Sequence, residues 1–186
     1  MALLPLKELY LECLHCTKCD LSKTKTNMVF GEGNLKAKVM FVGEGPGRDE
    51  DLQGRPFVGK AGQLLNKMLE EVGLKREEVY IANIVKCRPP NNRVPLQSEI
   101  DACLPYLRNQ VAIIAPKIIV CLGATAAKAI IDKNFKITTM RGQWFERKSV
   151  KIIATYHPAA ILRDPEKLEP AMEDFKKIKE ELDKLL

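Results

Sequence analysis

The stretch KVMFVGEGPG, residues 38–47, decides the fold of this chain. Its first half, residues 38–42, is a short apolar run with β-branched residues, and it predicts a buried strand that ends at Gly43. The glycine-rich segment of residues 43–47 follows directly at the carboxyl end of that strand. A short, continuously apolar strand of this kind indicates a sheet that is covered on both faces.

Similar apolar runs recur along the chain and alternate with helical patterns. Further strands are predicted at residues 79–85, 117–122 and 150–155. Helices are predicted at residues 6–14 and 61–72, from a cap at Ser98 to about residue 115, from Gly123 to about residue 131, and at residues 165–186, with an edge hairpin within residues 136–147. Because alternating strands and helices favour parallel pairing, we expect one domain over residues 1–186. The predicted fold is a three-layer α/β/α sandwich with a central, mostly parallel four-stranded sheet.

The composition and charge indicate where in the cell the protein acts and what it can bind. The chain has 186 residues, of which 46% are hydrophobic and 29% charged, and these fractions are typical of a globular domain. Its longest apolar run, residues 111–115, is too short to cross a bilayer, and Lys7 and Glu8 argue against a signal peptide. We therefore expect a cytoplasmic protein with no membrane association. The net charge of +6 is compatible with a phosphate-bearing partner and equally with a basic surface that binds no nucleic acid.

The cysteines predict a metal site. In a reducing cytoplasm, six cysteines indicate metal ligands or buried thiols rather than disulfides. Cys16 and Cys19 form a C-x2-C pair, and Cys87 and Cys103 can complete four ligands for an iron–sulfur cluster or for zinc. Cys13 and Cys16 have the same spacing, but Cys13 falls within a predicted helix, so the pair of Cys16 and Cys19 is favoured. Cys121 lies in an apolar strand and reads as a buried thiol.

Three chemically distinctive segments follow predicted strands. They are residues 43–47, residues 83–88 and the dipeptide of His157 and Pro158. Ligands of open α/β sheets bind outside the carboxyl ends of the strands. We therefore expect these three segments to meet at one edge of the sheet.

Four motifs together resemble the family 4 uracil-DNA glycosylases. They are GEGPGRDED (residues 43–51), GRPFVGKAG (54–62), IANIVKCRPPNNR (81–93) and YHPAAIL (156–162). The similarity runs in order from Cys16 to about Arg163. The resemblance implies a monomeric DNA-repair enzyme of thermophilic type that removes uracil from DNA. It also implies a [4Fe–4S] cluster bound by Cys16, Cys19, Cys87 and Cys103.

The resemblance also implies roles for individual residues. Phe57 matches the aromatic residue that stacks on the flipped uracil, and Asn83 matches the residue that reads the uracil edge. His157 matches the histidine that donates a hydrogen bond to uracil O2, and Gly45 lies in the segment whose backbone lets the base approach closely. Glu44 matches the acidic residue of the first motif. Two roles for it stay open, orienting water beside the cationic sugar or excluding the methyl group of thymine.

The chain differs in two respects from related families. It has no basic insertion after the Phe57 segment, of the kind found in relatives that stay covalently bonded to uracil-DNA, so ordinary turnover is expected. It retains Glu44, whereas family 5 enzymes lack an acid at that position. No motif for a sliding clamp is evident at either terminus, although such a partner stays possible.

The DNA contacts beyond the pocket are predicted on two segments. One is the wedge region near the histidine, with Ile161, Leu162 and Arg163, and the other is the basic loop that Cys87 would hold, with Lys86, Arg88 and Arg93. Two non-enzymatic alternatives remain open: a DNA-binding module with a redox-sensing cluster, and a zinc-bearing interaction module. Neither would need Glu44, Asn83 and His157 together beside an aromatic ring.

Overall fold

A mixed six-stranded sheet forms the centre of the structure, a computed structural model that describes residues 3–186. In chain order the strands are β1 (Glu32–Gly33), β2 (Val39–Gly43), β3 (Tyr80–Asn83), β4 (Ile118–Leu122), β5 (Phe145–Arg147) and β6 (Val150–Thr155). Their order across the sheet is β1-β3-β2-β4-β6-β5, and the four central strands are parallel. The α/β fold class is confirmed, but the sheet has six strands rather than four.

The two additional strands lie at the edges and run antiparallel to their neighbours. β1 pairs only Glu32 and Gly33 with β3, and two residues are too few to produce an apolar pattern in the sequence. β5 and β6 are joined by Lys148 and Ser149, which both adopt the positive φ of a tight hairpin turn. The predicted edge hairpin therefore exists, but its second strand is β6, and residues 137–140 form a short helix.

Helices cover both faces of the sheet. They are α1 (Leu3–Leu14), α2 (Leu21–Thr24), α3 (Arg48–Gln53), α4 (Lys60–Glu71), α5 (Gln97–Ile114), α6 (Ala124–Ile130), α7 (Ile137–Met140), α8 (Pro158–Arg163) and α9 (Leu168–Lys184). One face packs against α2, α5 and α6, and the other packs against α4, α8 and α9. None of the helices described within residues 3–186 is both long and apolar enough to cross a membrane.

The start of α5 differs from its prediction. Ser98 does not cap this helix, because it lies inside the first turn with its side chain exposed. The Glu99 carboxylate fills that role instead: it accepts a hydrogen bond from the Leu96 backbone N–H at 2.7 Å. Glu99 also forms an ion pair with Arg93, so the loop before α5 is tied to the helix start.

A third apolar cluster joins α1 to α5. Leu6, Leu9 and Cys13 of α1 pack with Tyr106 of α5, and Met28 and Phe30 complete the cluster. This contact sets the end of α1 beside the middle of α5. The C-x2-C segment after α1 is thereby brought close to Cys103 on α5.

Candidate functional site

A cavity of about 730 Å³ opens at the carboxyl edge of the parallel strands. Each of the four central strands contributes to its lining: Glu44 follows β2, Asn83 ends β3, Thr125 follows β4 and His157 follows β6. The lining also includes Gly45 and Phe57. Three of the contributing segments were predicted to meet here, and the segment after β4 was not.

The floor of the cavity lies over Gly43. A Cβ atom at this position would lie 2.6 Å from both Asn83 Oδ1 and Phe57 Cζ, so a side chain would fill the space between them. Asn83 is only 2% exposed, and its Oδ1 atom has no hydrogen-bond partner among residues 3–186. A buried amide oxygen without a partner is costly in a folded protein. The floor therefore contains a buried, unpaired acceptor beside an aromatic ring.

His157 also lines the cavity and lies against the floor. Its ring stacks on Phe57, with the ring centroids 5.4 Å apart and the planes inclined by 27°. Its Nδ1 atom accepts a hydrogen bond from the Ala159 backbone N–H at 3.0 Å. Burial, together with the positive charge of Arg163, lowers the pKa of His157 to about 4. The ring is therefore neutral at physiological pH, and its proton resides on Nε2.

Glu44 is held by a residue that sequence reasoning missed. The Thr125 hydroxyl, in the first turn of α6, donates a hydrogen bond to Glu44 Oε2 at 2.6 Å. This bond leaves the second carboxylate oxygen available to the cavity. The signal in the sequence was the glycine at residue 123, which closes a buried strand as Gly43 does.

A second missed residue is Glu50, in the first turn of α3. Its carboxylate accepts hydrogen bonds from the backbone N–H groups of Gly47, Val58 and Gly59, at 3.0, 2.8 and 2.7 Å. Gly47 belongs to the turn after β2, whereas the other two residues directly follow Phe57. Glu50 therefore joins the two loops that form the cavity. The spacing of Gly47 and Glu50 matches a capping box, which was the available signal.

Arg76 fixes the backbone of Phe57 from the opposite side. Its guanidinium donates hydrogen bonds to the carbonyls of Pro56 and Phe57, the latter at 2.7 Å. Phe57 has a φ of +50°, which is strained for a residue with a bulky side chain. Such strain persists only where the surroundings hold it, and Glu50 and Arg76 supply that support.

Five cysteines surround a second, smaller cavity between α1, α2 and α5. They are Cys13, Cys16, Cys19, Cys87 and Cys103, and the predicted set of four is among them. Two backbone N–H groups donate to their sulfurs, from Lys86 to Cys103 at 3.3 Å and from Lys18 to Cys16 at 3.5 Å. No three His, Cys, Asp or Glu side chains within residues 3–186 are placed to hold a single metal ion. Cys121 is buried in β4, as predicted.

Two of the predicted DNA contacts are wrong. Lys86 is only 1% exposed, because its side chain turns into the protein and its ammonium is hydrogen-bonded there, so it cannot reach DNA. Ile161 is 3% exposed and packs in the core beneath α8. Leu162, by contrast, is 48% exposed, and Arg163 is exposed beside it.

The other basic residues that were predicted to contact DNA lie at or beside the larger cavity. Arg93 lines it while paired with Glu99, and Arg88 donates a hydrogen bond to Asn92, another residue of the lining. Further basic side chains in the lining are Arg48, Lys60, Arg163 and Lys167. Sequence reasoning did not select Arg48, Lys60 or Lys167. The basic side chains of the lining outnumber its three carboxylates, those of Glu44, Asp49 and Glu50, and give the mouth of the cavity a positive rim.

Comparison with known proteins identifies the family. Residues 30–183 match the model of the uracil DNA glycosylase superfamily. The chain is 52% identical over 183 residues to the type-4 uracil-DNA glycosylase of Archaeoglobus fulgidus, covering 94% of this chain and 92% of that protein. It is also 52% identical to the type-4 enzymes of Sulfurisphaera tokodaii (91% of this chain, 81% of that protein) and Thermotoga maritima (80% and 79%). The resemblance of the four motifs is thereby confirmed, and the chain belongs to the uracil-DNA glycosylase superfamily, within its type-4 family.

Proposed function

We propose that this protein is a DNA-repair glycosylase that hydrolyses the bond between uracil and deoxyribose in DNA and leaves an abasic site. The observation that carries the proposal is the unpaired, buried Asn83 Oδ1 atom beside the Phe57 ring. A planar base with an N–H group on its edge would satisfy that oxygen and stack on the ring. The type-4 relatives, whose names state this activity, support the same reading.

The Asn83 amide explains why uracil is selected. Its Oδ1 atom can accept a hydrogen bond from uracil N3–H while its Nδ2 group donates to O4. Cytosine presents an acceptor at N3 and a donor at C4, so the same amide orientation meets it with two mismatched pairs. A side chain at residue 43 would collide with Asn83 Oδ1, so the glycine keeps the space that this amide occupies.

The chemistry follows from where charge develops. Cleavage of the glycosidic bond leaves negative charge on the uracil ring and positive charge on the sugar. The neutral His157 ring can donate its Nε2–H to uracil O2 as that charge grows, and loss of one such donor typically costs about 3–4 kcal/mol of barrier. Glu44, fixed by Thr125, can face the sugar with its free oxygen and orient the attacking water.

The smaller cavity suits a [4Fe–4S] cluster held by Cys16, Cys19, Cys87 and Cys103. Cysteines that enclose a space without converging on one point fit a cluster better than a single zinc ion. The backbone N–H groups aimed at two of the sulfurs are typical of such sites. When bound, the cluster would crosslink the segment after α1, the loop after β3 and α5, which is a structural role.

The exposed tip of α8 is the best candidate for a wedge in the DNA. Leu162 projects beside Arg163 at the mouth of the cavity, so it can occupy the gap left by a flipped nucleotide. The basic rim, with Arg48, Lys60 and Arg93, supplies counter-charge for phosphates.

The test uses oligonucleotides that contain one uracil, in single-stranded and duplex form. The purified protein is incubated with each, and alkali then cleaves the strand wherever a base has been released. Cleavage at uracil, and none at thymine or cytosine in matched oligonucleotides, is expected. The variant His157→Leu, purified in the same way, controls for a contaminating host enzyme. Absence of cleavage by the folded wild-type protein in both forms of DNA would exclude the proposal.

A further inference from the structure

Lys86 has a buried ammonium that contacts the backbone of Asn83. Its Nζ atom donates hydrogen bonds to the Asn83 carbonyl at 3.0 Å and to Gln110 Oε1 at 2.7 Å. A buried lysine is rare and costly unless its charge is well solvated by protein groups. Neither partner is a carboxylate, so a simple ion pair does not account for this residue.

The main chain of the same residue reaches the cysteine cavity. The Lys86 N–H donates to Cys103 Sγ at 3.3 Å, and Cys87 is the next residue in the chain. The Lys86 carbonyl accepts a hydrogen bond from the Val29 N–H at 2.8 Å. The backbone of Lys86, in the loop after β3, is thus fixed by two hydrogen bonds. Its side chain folds back to the carboxyl end of that strand.

Gln110 holds the far end of the side chain. It lies in α5 and is fully buried. Its Nε2 group donates to the Phe30 carbonyl at 2.9 Å and to the Tyr80 hydroxyl at 3.2 Å, so the amide orientation is fixed with Oε1 toward Lys86. The acceptor that receives the ammonium is therefore itself anchored in the core.

Asn83 needs support of this kind. Its side-chain oxygen is unpaired, so no protein partner of that atom holds the amide in the orientation that reads a base. Its position is then set by the backbone at the carboxyl end of β3, where Asn83 pairs with Gly43. The next two residues continue this pairing, with their N–H groups donating to the carbonyls of Gly43 and Glu44. The ammonium of Lys86 binds the carbonyl at this point.

We infer that Lys86 is a positioning residue for base recognition, because it fixes the backbone of Asn83 and couples it to the cysteine-bearing loop. The inference rests on the proposed function. Removal of the ammonium would leave the Asn83 carbonyl and Gln110 Oε1 without this donor in the interior. The strand end would then shift to satisfy them, and a displacement of about 1 Å at a reacting group can reduce a rate about a hundredfold.

The test compares Lys86→Met with Lys117→Met, a control at the exposed start of β4, far from the cavity. Single-turnover uracil release is measured well below the melting temperature of each variant, together with affinity for uracil-free DNA and visible absorption. For Lys86→Met we expect a rate lower by about tenfold to a hundredfold, with DNA affinity and cluster absorption unchanged. Lys117→Met should match the wild type in all three.

A double-mutant cycle separates positioning from general stability. In an Asn83→Ala background, Lys86→Met should cause almost no further loss of rate, because there is no amide left to position. Independent, multiplicative losses would overturn the inference, as would a wild-type rate in folded Lys86→Met. If the wild type itself releases no uracil, the proposed function fails, which is a distinguishable result.

A second variant covers the case in which Lys86→Met does not fold or does not hold its cluster. Gln110→Leu removes the acceptor that directs the ammonium but leaves Lys86 and the cysteines intact. A smaller loss of rate that also vanishes in the Asn83→Ala background is expected. A wild-type rate in folded Gln110→Leu that retains its visible absorption would contradict the coupling.

Discussion

In its proposed role, Asn83 is a side chain that opposes stability in order to serve recognition. Its buried, unpaired oxygen costs folding free energy, on the order of 1–3 kcal/mol. Leucine has the same number of side-chain heavy atoms and no polar group. Asn83→Leu should therefore raise the free energy of unfolding by about 1 kcal/mol while strongly lowering the rate of uracil release.

Urea unfolding and the alkaline cleavage assay measure the two effects of Asn83→Leu separately. Asn134→Leu, in an exposed turn, is the matched control and should change neither. A destabilised Asn83→Leu protein would show that the amide forms favourable interactions within the folded chain, and would weaken the case for an unpaired acceptor.

His157 supports a prediction about pH. Burial and the charge of Arg163 lower its pKa from the ordinary value of 6.5 to about 4. Between these values the unfolded chain binds a proton that the folded protein does not, so this residue makes stability decrease as pH falls through that window. Above that pH window the ring is neutral in both the folded and the unfolded chain, so its stabilising effect is fully present. The rate of uracil release should accordingly show no ionisation of this ring between about pH 5 and 8.

Nuclear magnetic resonance of the imidazole can test the titration of His157 directly. The chain has only two histidines, so His15→Gln leaves a single ring to observe. A midpoint near 4 is expected, with the Nδ1 atom unprotonated above it. A midpoint near the ordinary value would contradict the hydrogen bond from Ala159 and the neutral donor that it implies.

The role of a single residue could be predicted where a sequence motif determined it. It could not be predicted where it depended on whether the side chain is exposed or buried. Asn83 and His157 stand at the ends of apolar strands, so topology alone brings them to one cavity. Lys86 stands in the same kind of position, and nothing in its sequence context reveals that the side chain folds inward to Gln110, a residue of another element. Ile161 was assigned to the wedge, but the rotation of α8 on the core decides which of its residues face outward.

Among the elements, the short helix α3 supports a prediction through Glu50. Its carboxylate accepts three backbone N–H groups from two loops, and hydrogen bonds to charged groups contribute about 1.5–3 kcal/mol. Glu50→Gln should lower the free energy of unfolding by an amount in that range. It should also reduce uracil release, because the segment after Phe57 loses its anchor.

The control for Glu50→Gln is Asp49→Asn, which removes the neighbouring, exposed carboxylate. Calorimetry and single-turnover rates on both variants provide the comparison. If Glu50→Gln and Asp49→Asn behave alike, the effect comes from negative charge near α3 and not from the three hydrogen bonds that Glu50 accepts. A strong loss of rate without loss of stability in Glu50→Gln would indicate a direct role in catalysis instead.

The same contrast holds for whole elements. The four parallel strands are largely apolar runs, so both their existence and their burial could be inferred from the sequence. The edge strands could not, since β1 has two residues and β5 has three, too few to show a strand pattern. The segment after β4 was overlooked because Thr125 is an ordinary residue for a helix start, and only its contact with Glu44 gives it a role.

For the molecule as a whole, a cluster bound by the cysteines would link separate parts of the chain. They come from three separate segments, the end of α1 with the loop behind it, the loop after β3, and α5. The loop after β3 also contributes Pro89, Asn92, Arg93 and Val94 to the lining of the larger cavity. A cluster bound by these cysteines would therefore stabilise the larger cavity at a distance, as a crosslink would.

Substitution of the two alternative partners of Cys16 tests that arrangement. Both Cys13 and Cys19 line the smaller cavity, but Cys13 is buried in the apolar cluster of α1 and α5. Cys19→Ala should therefore abolish the visible absorption of the cluster and lower the melting temperature, whereas Cys13→Ala should retain the absorption. The reverse result would assign the C-x2-C pair to Cys13 and Cys16. Loss of absorption without any change in melting temperature would refute the crosslinking role, because a link between three segments must restrict the unfolding of all of them.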